Sequence, residues 1–286
     1  MTNNRTQHFL TILIIAVVVC LSPVSRLHAE ELSPSIGFFG AARTHGGSCH
    51  LLDTGSHKIL LDCGSFMDKK RMHMNAGFPF PAESVDLVTL SHAHMDHSGR
   101  LPLLYGSGYT GGVLCARPTG ELAKIMLHVQ KSIHESESGR VHYSDRDLRA
   151  ATTNIIELDY NEPFKFAGDT DISFLNAEHI LGSAMTRIEF GPADKRKTLV
   201  FTGDFGNNTN GIMQTKAAVN QADYLIIEST YGGKVRDNSA EELAGFYKML
   251  RETAHDNGVV LIPAFVLART QKVLGNIYQG METGQV

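Results

Sequence analysis

Phe9 to Cys20 forms an apolar run broken only by Thr11, with Arg5 before it and Ser22-Pro23 after it. Leu27-His28-Ala29 then offers a small-residue cleavage site ahead of Glu30. This layout reads as a secretory signal peptide over residues 1–29, because about 12 apolar residues fall short of the roughly 20 that span a bilayer. The mature chain is then exported, periplasmic or secreted, and has no stable membrane span. An uncleaved anchor, or acylation at Cys20, fits the same run, and without the signal the protein would be cytoplasmic.

Beyond Ile36 the pattern changes to short apolar segments divided by turns. Cys49–Leu52 and Lys58–Leu61 flank a Ser56-His57 turn, and Val85–Leu90 is a further mostly apolar strand. A helix follows, capped by Thr119, with Leu122, Ile125, Met126, Val129 and Ile133 at helical spacing. Residues 134–153 are polar and read as a helical or loop excursion. Strands resume at Ile172–Leu175, Met185–Phe190, Thr198–Phe201 and Tyr224–Ile227. Near residue 233 the texture shifts again. Ser239 with Glu242 makes a capping box, and Leu243, Phe246, Tyr247 and Leu250 give one helical face that ends by Gly258. Val259–Ile262 is a fully apolar strand, and Arg269 to Met281 is a second helix. The expected division is therefore one α/β domain over 30–232 and the opening of a second over 233–286, cut short at Val286.

Composition supports a folded α/β protein: 42% of residues are apolar and 20% charged. Removing residues 1–29 takes away Arg5 and Arg26 and no acid, which moves the net charge from −4 to −6. That balance argues mildly against nucleic acid, although local patches matter more. The two basic clusters, Lys69-Lys70-Arg71 and Lys195-Arg196-Lys197, read as solvated loop charges. Cys49, Cys63 and Cys115 form no CxxC pair and read as small buried hydrophobes.

The 14 His outnumber the 9 Pro, and they cluster. Ser91-His92-Ala93-His94-Met95-Asp96-His97 follows a buried strand. At period 2, His92, His94 and Asp96 share a face and His97 points away, so all four converge only if the chain turns at Gly99 and Pro102. Such crowding suits two adjacent metals better than one tetrahedral ion. Asp62, His179 and Asp204 each follow an apolar strand, and converging strand ends are how α/β enzymes assemble sites.

These residues resemble the ordered motifs of the metallo-β-lactamase superfamily. Gly40-Ala41-Ala42-Arg43, Leu61-Asp62-Cys63-Gly64, His179-Ile180-Leu181-Gly182-Ser183-Ala184 and Glu228-Ser229-Thr230-Tyr231-Gly232 are similar to its β-CASP branch. Pro263-Ala264-Phe265 with Arg269-Thr270-Gln271 resembles the start of that branch's inserted domain. The resemblance implies a four-layer αββα sandwich with two zinc ions at its edge. His92, His94 and His179 would hold one ion, Asp96 and His97 the other, with Asp204 bridging and Asp62 behind. Glu228 matches the branch's first signature acid, so Asp62, Asp96 and Glu228 are the expected catalytic acids. The chain departs from the branch at Glu178, Asn207 and Arg236. Two later His of the branch, a zinc ligand and a general acid, would lie beyond Val286. The expected activity is metal-dependent hydrolysis of RNA or single-stranded DNA. A hydrolase of small esters, thioesters or lactams, or a zinc-binding fragment without activity, are the alternatives.

Overall fold

The computed structural model describes residues 33–137, 141–206, 213–234 and 240–286. The signal-peptide reading of residues 1–29 lies outside the described residues, as do Ser239, Asn207 and Arg236. No helix among the described residues is long and apolar enough to cross a membrane.

Two sheets face each other. The first runs β1 (Ser35–Phe38), β2 (His50–Asp53), β3 (Lys58–Leu61), β4 (Leu87–Leu90), β5 (Val113–Ala116) and β6 (Ile155–Leu158), in that order. Strands β3 to β6 pair in parallel, and β1 and β2 are antiparallel to their neighbours. The second sheet runs β11 (Tyr224–Ile226), β10 (Lys197–Phe201), β9 (Ala184–Phe190), β8 (Thr170–Asn176) and β7 (Phe164–Phe166). It is antiparallel apart from the β10–β11 pair.

Burial explains the pattern. β4 and β5 are buried at every position because both faces of the first sheet are covered. One face meets the second sheet: Leu52, Ile59, Leu61, Leu87 and Leu114 pack on Ile172, Phe174, Ile188 and Phe201. The opposite face carries α2 (Leu101–Gly106), α3 (Arg117–Glu137) and α4 (Asp145–Thr153), whose Leu104, Leu127 and Leu148 join Leu60, Val88 and Val113. The polar 134–153 excursion thus becomes the end of α3 and all of α4. Ser144 caps α4 and forms a capping box with Asp147. Behind the second sheet, Ala177, Met185 and Val200 pack against Phe205, Ala217 and Ala222, and among the described residues no helix joins this cluster.

Most strand expectations differ from the observed ends by one or two residues. The exception is Val259–Ile262, which is not a strand. Helices α5 (Ala240–His255) and α6 (Arg269–Glu282) form on either side of it as their apolar spacing predicts. A strand needs a partner for its N–H and C=O groups, and among the described residues none flanks this run.

Candidate metal centre

The parallel pairing of β3 with β4 puts their carboxyl ends at one edge, and β8 and β10 run the same way as each other in the second sheet. Asp62, Ser91, Ala177 and Thr202 therefore open four loops side by side. At this edge the sheets are tied directly, with the Ala184 N–H donating to the Ser91 carbonyl at 2.8 Å.

Convergence of the histidines comes from a different turn than the periodicity predicts. The chain leaves β4 at Leu90 and enters α1 (Met95–Ser98) after four intervening residues, with His94 as its N-cap residue in an extended conformation. Asp96 and His97 thus sit on a helical turn, and Gly99 and Pro102 come too late to be the cause. Close backbone approach makes the packing possible. A Cβ on Gly64 would fall 1.6 Å from the Asp96 carbonyl oxygen, and one on Gly203, itself at φ 52°, would fall 2.5 Å from the Ser91 Cβ.

One donor atom from each of His92, His94, His179 and Asp204 lies within 4.8 Å of the others. His94 Nδ1 is 3.0 Å from His92 Nε2 and 3.2 Å from His179 Nε2. Burial pushes all three imidazoles toward the neutral form, His179 down to about 4 against the pull of Asp204. Neutral imidazoles and a carboxylate converging on one point are a donor set for a divalent ion. A hydrogen bond to the Leu267 backbone favours the charged form of His94 but does not reverse the effect of burial.

His97 is placed differently. Its Nε2 lies 3.4 Å from Asp204 Oδ1 and 3.9 Å from Asp96 Oδ2. Its Nδ1 lies 2.6 Å from Asp62 Oδ2. Burial opposes a charge on His97, yet Asp62 and Asp204 outweigh it and hold the ring well above its ordinary pKa. Asp204 behaves reciprocally: burial raises it, and the hydrogen bond and charge of His97 hold it down at about 2.

Asp62 is fully buried at φ 59°, a left-handed conformation that Asp tolerates better than most residues. Its carboxylate accepts from the Ser48 hydroxyl at 3.0 Å, the Ser91 N–H at 2.8 Å and the Ser91 hydroxyl at 2.9 Å. With every oxygen engaged, Asp62 orients His97 from behind. Glu228 stands outside the donor cluster, just past β11 at the same sheet edge, and accepts from the Thr230 N–H at 2.9 Å.

Ser48 and Arg100 carry this architecture without a signal in the sequence, and Ser91 with only a weak one. Arg100 is buried, stacked over Phe66 and Phe78, and its Nε donates to the Gly64 carbonyl at 2.5 Å. Ser91 opens the His-rich segment, and a hydroxyl closing a buried strand was the one available hint. Cys49, Cys63 and Cys115 are buried and free, with Cys49 pushed up to about 11 by burial.

Comparison with known proteins agrees with this geometry. Residues 57–255 match the family model described as the beta-lactamase superfamily domain. The chain is 35% identical over 240 residues to Ribonuclease TTHA0252 of Thermus thermophilus, covering 84% of this chain and 54% of that protein. It is 34% identical over 257 residues to the transcription termination factor FttA of Methanothermobacter thermautotrophicus, covering 86% and 39%. It thus spans about half the length of the first and two fifths of the second. The chain belongs to the metallo-β-lactamase superfamily, in its β-CASP branch.

Proposed function

We propose that this chain is the metal-holding part of a zinc-dependent phosphodiesterase that cleaves RNA or other single-stranded nucleic acid. The observation that carries the reading is the shared Asp204. His92 and His179 face its Oδ2 at 3.9 and 3.5 Å, while His97 faces its Oδ1 at 3.4 Å. One carboxylate between two imidazole groups suits two adjacent divalent ions. We assign His92, His94 and His179 to the first, Asp96 and His97 to the second, and Asp204 to both. Two zinc ions there would supply Lewis acidity toward phosphoryl oxygens and a nucleophilic water near neutral pH.

The protein's own groups do the positioning. Asp62, held by Ser48 and Ser91, orients the His97 ring so that Nε2 faces Asp204. Glu228 is proposed as a positioning acid at the same edge rather than a ligand. The names of the relatives, a ribonuclease and termination factors, support RNA as the substrate class. The division into 30–232 and 233–286 is part of the same proposal.

The test is metal analysis joined to cleavage of an end-labelled RNA. Zinc-reconstituted protein should approach two zinc per chain and cleave RNA, and His94→Ala should lose metal and stability together. Well under one equivalent of zinc, or turnover of thioesters or lactams with RNA untouched, overturns the assignment. The Phe9–Cys20 run also supports export, with a mature N-terminus near Glu30. N-terminal sequencing of native protein that begins at Met1 would contradict it.

A further inference from the structure

The two basic clusters prove unlike in their surroundings. Arg196 pairs with Asp171 and Lys197 with Asp223, so two of the three cations in the second cluster are spent on holding β8, β10 and the 222–224 segment together. Lys195 precedes β10, at the opposite end of that strand from Asp204. In the first cluster only Arg71 is paired, with Asp68 at 2.8 Å. Lys69 and Lys70 are exposed, and no ion pair among the described residues engages them.

The loop that carries them is pinned at its base. The Phe66 N–H donates to Asn75 Oδ1 and the Asn75 Nδ2 donates back to the Phe66 carbonyl, both at 2.8 Å. Arg100 reaches the Met74 carbonyl at 3.3 Å, and the Ser65 N–H donates to the Met95 carbonyl at 2.8 Å. The base therefore rests on the turn that carries Asp96. A Cβ built on Gly46 would lie 3.8 Å from the Asp96 Cβ and 3.8 Å from the Met67 nitrogen. Gly46 closes a second loop, where Arg43 and His45 are also exposed. On the same loop, Met67 and Met72 are 66% and 51% exposed.

We propose that the 66–75 loop, together with Arg43, is a docking rim for a single-stranded RNA entering the metal centre on the Asp96 side. This rests on the nuclease reading above. Its lysines meet phosphates, and its exposed thioethers give adaptable apolar contact to base faces. Unpaired cations concentrated beside the acidic site, on a chain of net charge −4, are the charge complement of a polyanion. The ion-paired cluster at the far end of β10 lacks that property.

The experiment is binding of a fluorescein-labelled 12-mer oligouridylate to the full chain across a salt series, with cleavage of the same oligonucleotide followed separately. Lys69→Ala with Lys70→Ala should lower the slope of log affinity against log salt by about 1.4, and weaken binding roughly twentyfold at 0.1 M salt. Lys195→Ala should change affinity less than about twofold. A double variant with wild-type slope and affinity overturns the rim, as does a wild-type chain that ignores RNA or prefers polyglutamate of equal length. RNA bound through the lysines but not cleaved supports the rim and counts against the nuclease reading.

Discussion

Ile59-Leu60-Leu61 and Val259-Val260-Leu261-Ile262 are nearly the same text, and the fold treats them in opposite ways. The first is β3, paired on both sides and fully buried. In the second, Val259 and Leu261 are 82% and 87% exposed and no strand forms. Phe265 and Val266 beside it are exposed as well, and only Leu267 reaches the first core. Burial is thus a property of the partners rather than of the run. β3 is flanked by β2 and β4 and covered on both faces. The later run has two helices in sequence but no strand neighbour among the described residues. The contrast also separates chemistry from scaffold. Every residue of the donor cluster stands at the edge of the two paired sheets, where low exposure shifts proton affinities and fixes rings.

The sharpest way to break the comparison is to truncate the same side chain in both regions. Leu60→Ala should destabilise the protein by about 2–5 kcal/mol in urea unfolding, because the cavity is walled on all sides. A loss below about 1 kcal/mol there would show that the buried region is as loose as the exposed one.

Acid should act next most strongly, through His50. Burial holds this ring at about 4, and among the described residues its Nδ1 has no hydrogen-bond partner. Above pH 6.5 both folded and unfolded states are neutral there, so the residue contributes no pH dependence. Below 6.5 the unfolded chain takes up the proton first, and stability falls until pH 4, by roughly 3 kcal/mol from this group. His50→Phe should flatten that part of the stability–pH curve of metal-free protein. An unchanged curve would place the acid sensitivity elsewhere.

A smaller effect is expected at Ser91→Ala, which removes one of the hydroxyls on Asp62. Stability should fall by about 1–2 kcal/mol, and zinc affinity by roughly tenfold as His97 loses its fixed orientation. Equal zinc titrations for variant and wild type would mean that Ser48 and the Ser91 N–H suffice. Smallest of all, Leu261→Ser should alter unfolding by less than about 0.5 kcal/mol, since the side chain is already in water. A cost near that of Leu60→Ala would show that the run is packed in solution after all.

The residues proposed for the metal centre drew attention in the sequence because metal chemistry narrows the residue types. His92, His94, Asp96, His97, His179 and Asp204 stand at strand ends in an unusual pattern, and Asp62 follows a strand three residues after Ile59. The helices and most strands were legible too, since period 3.6 and short apolar runs report how many faces will be covered. What the chain text did not contain was the geometry that makes the pattern a site. The turn at Met95 instead of Gly99, the clasp of Ser48 and Ser91 on Asp62, and the stacking of Arg100 between Phe66 and Phe78 join residues distant in sequence. Local periodicity depends on neighbours three or four residues away and was determined by sequence alone. The fate of Val259–Ile262, the pairing of Arg196 and Lys197 and the freedom of Lys69 and Lys70 depended on which distant segments arrived beside them. Only the tertiary structure decided those, because hydrogen-bond partners, counter-charges and burial are supplied across space.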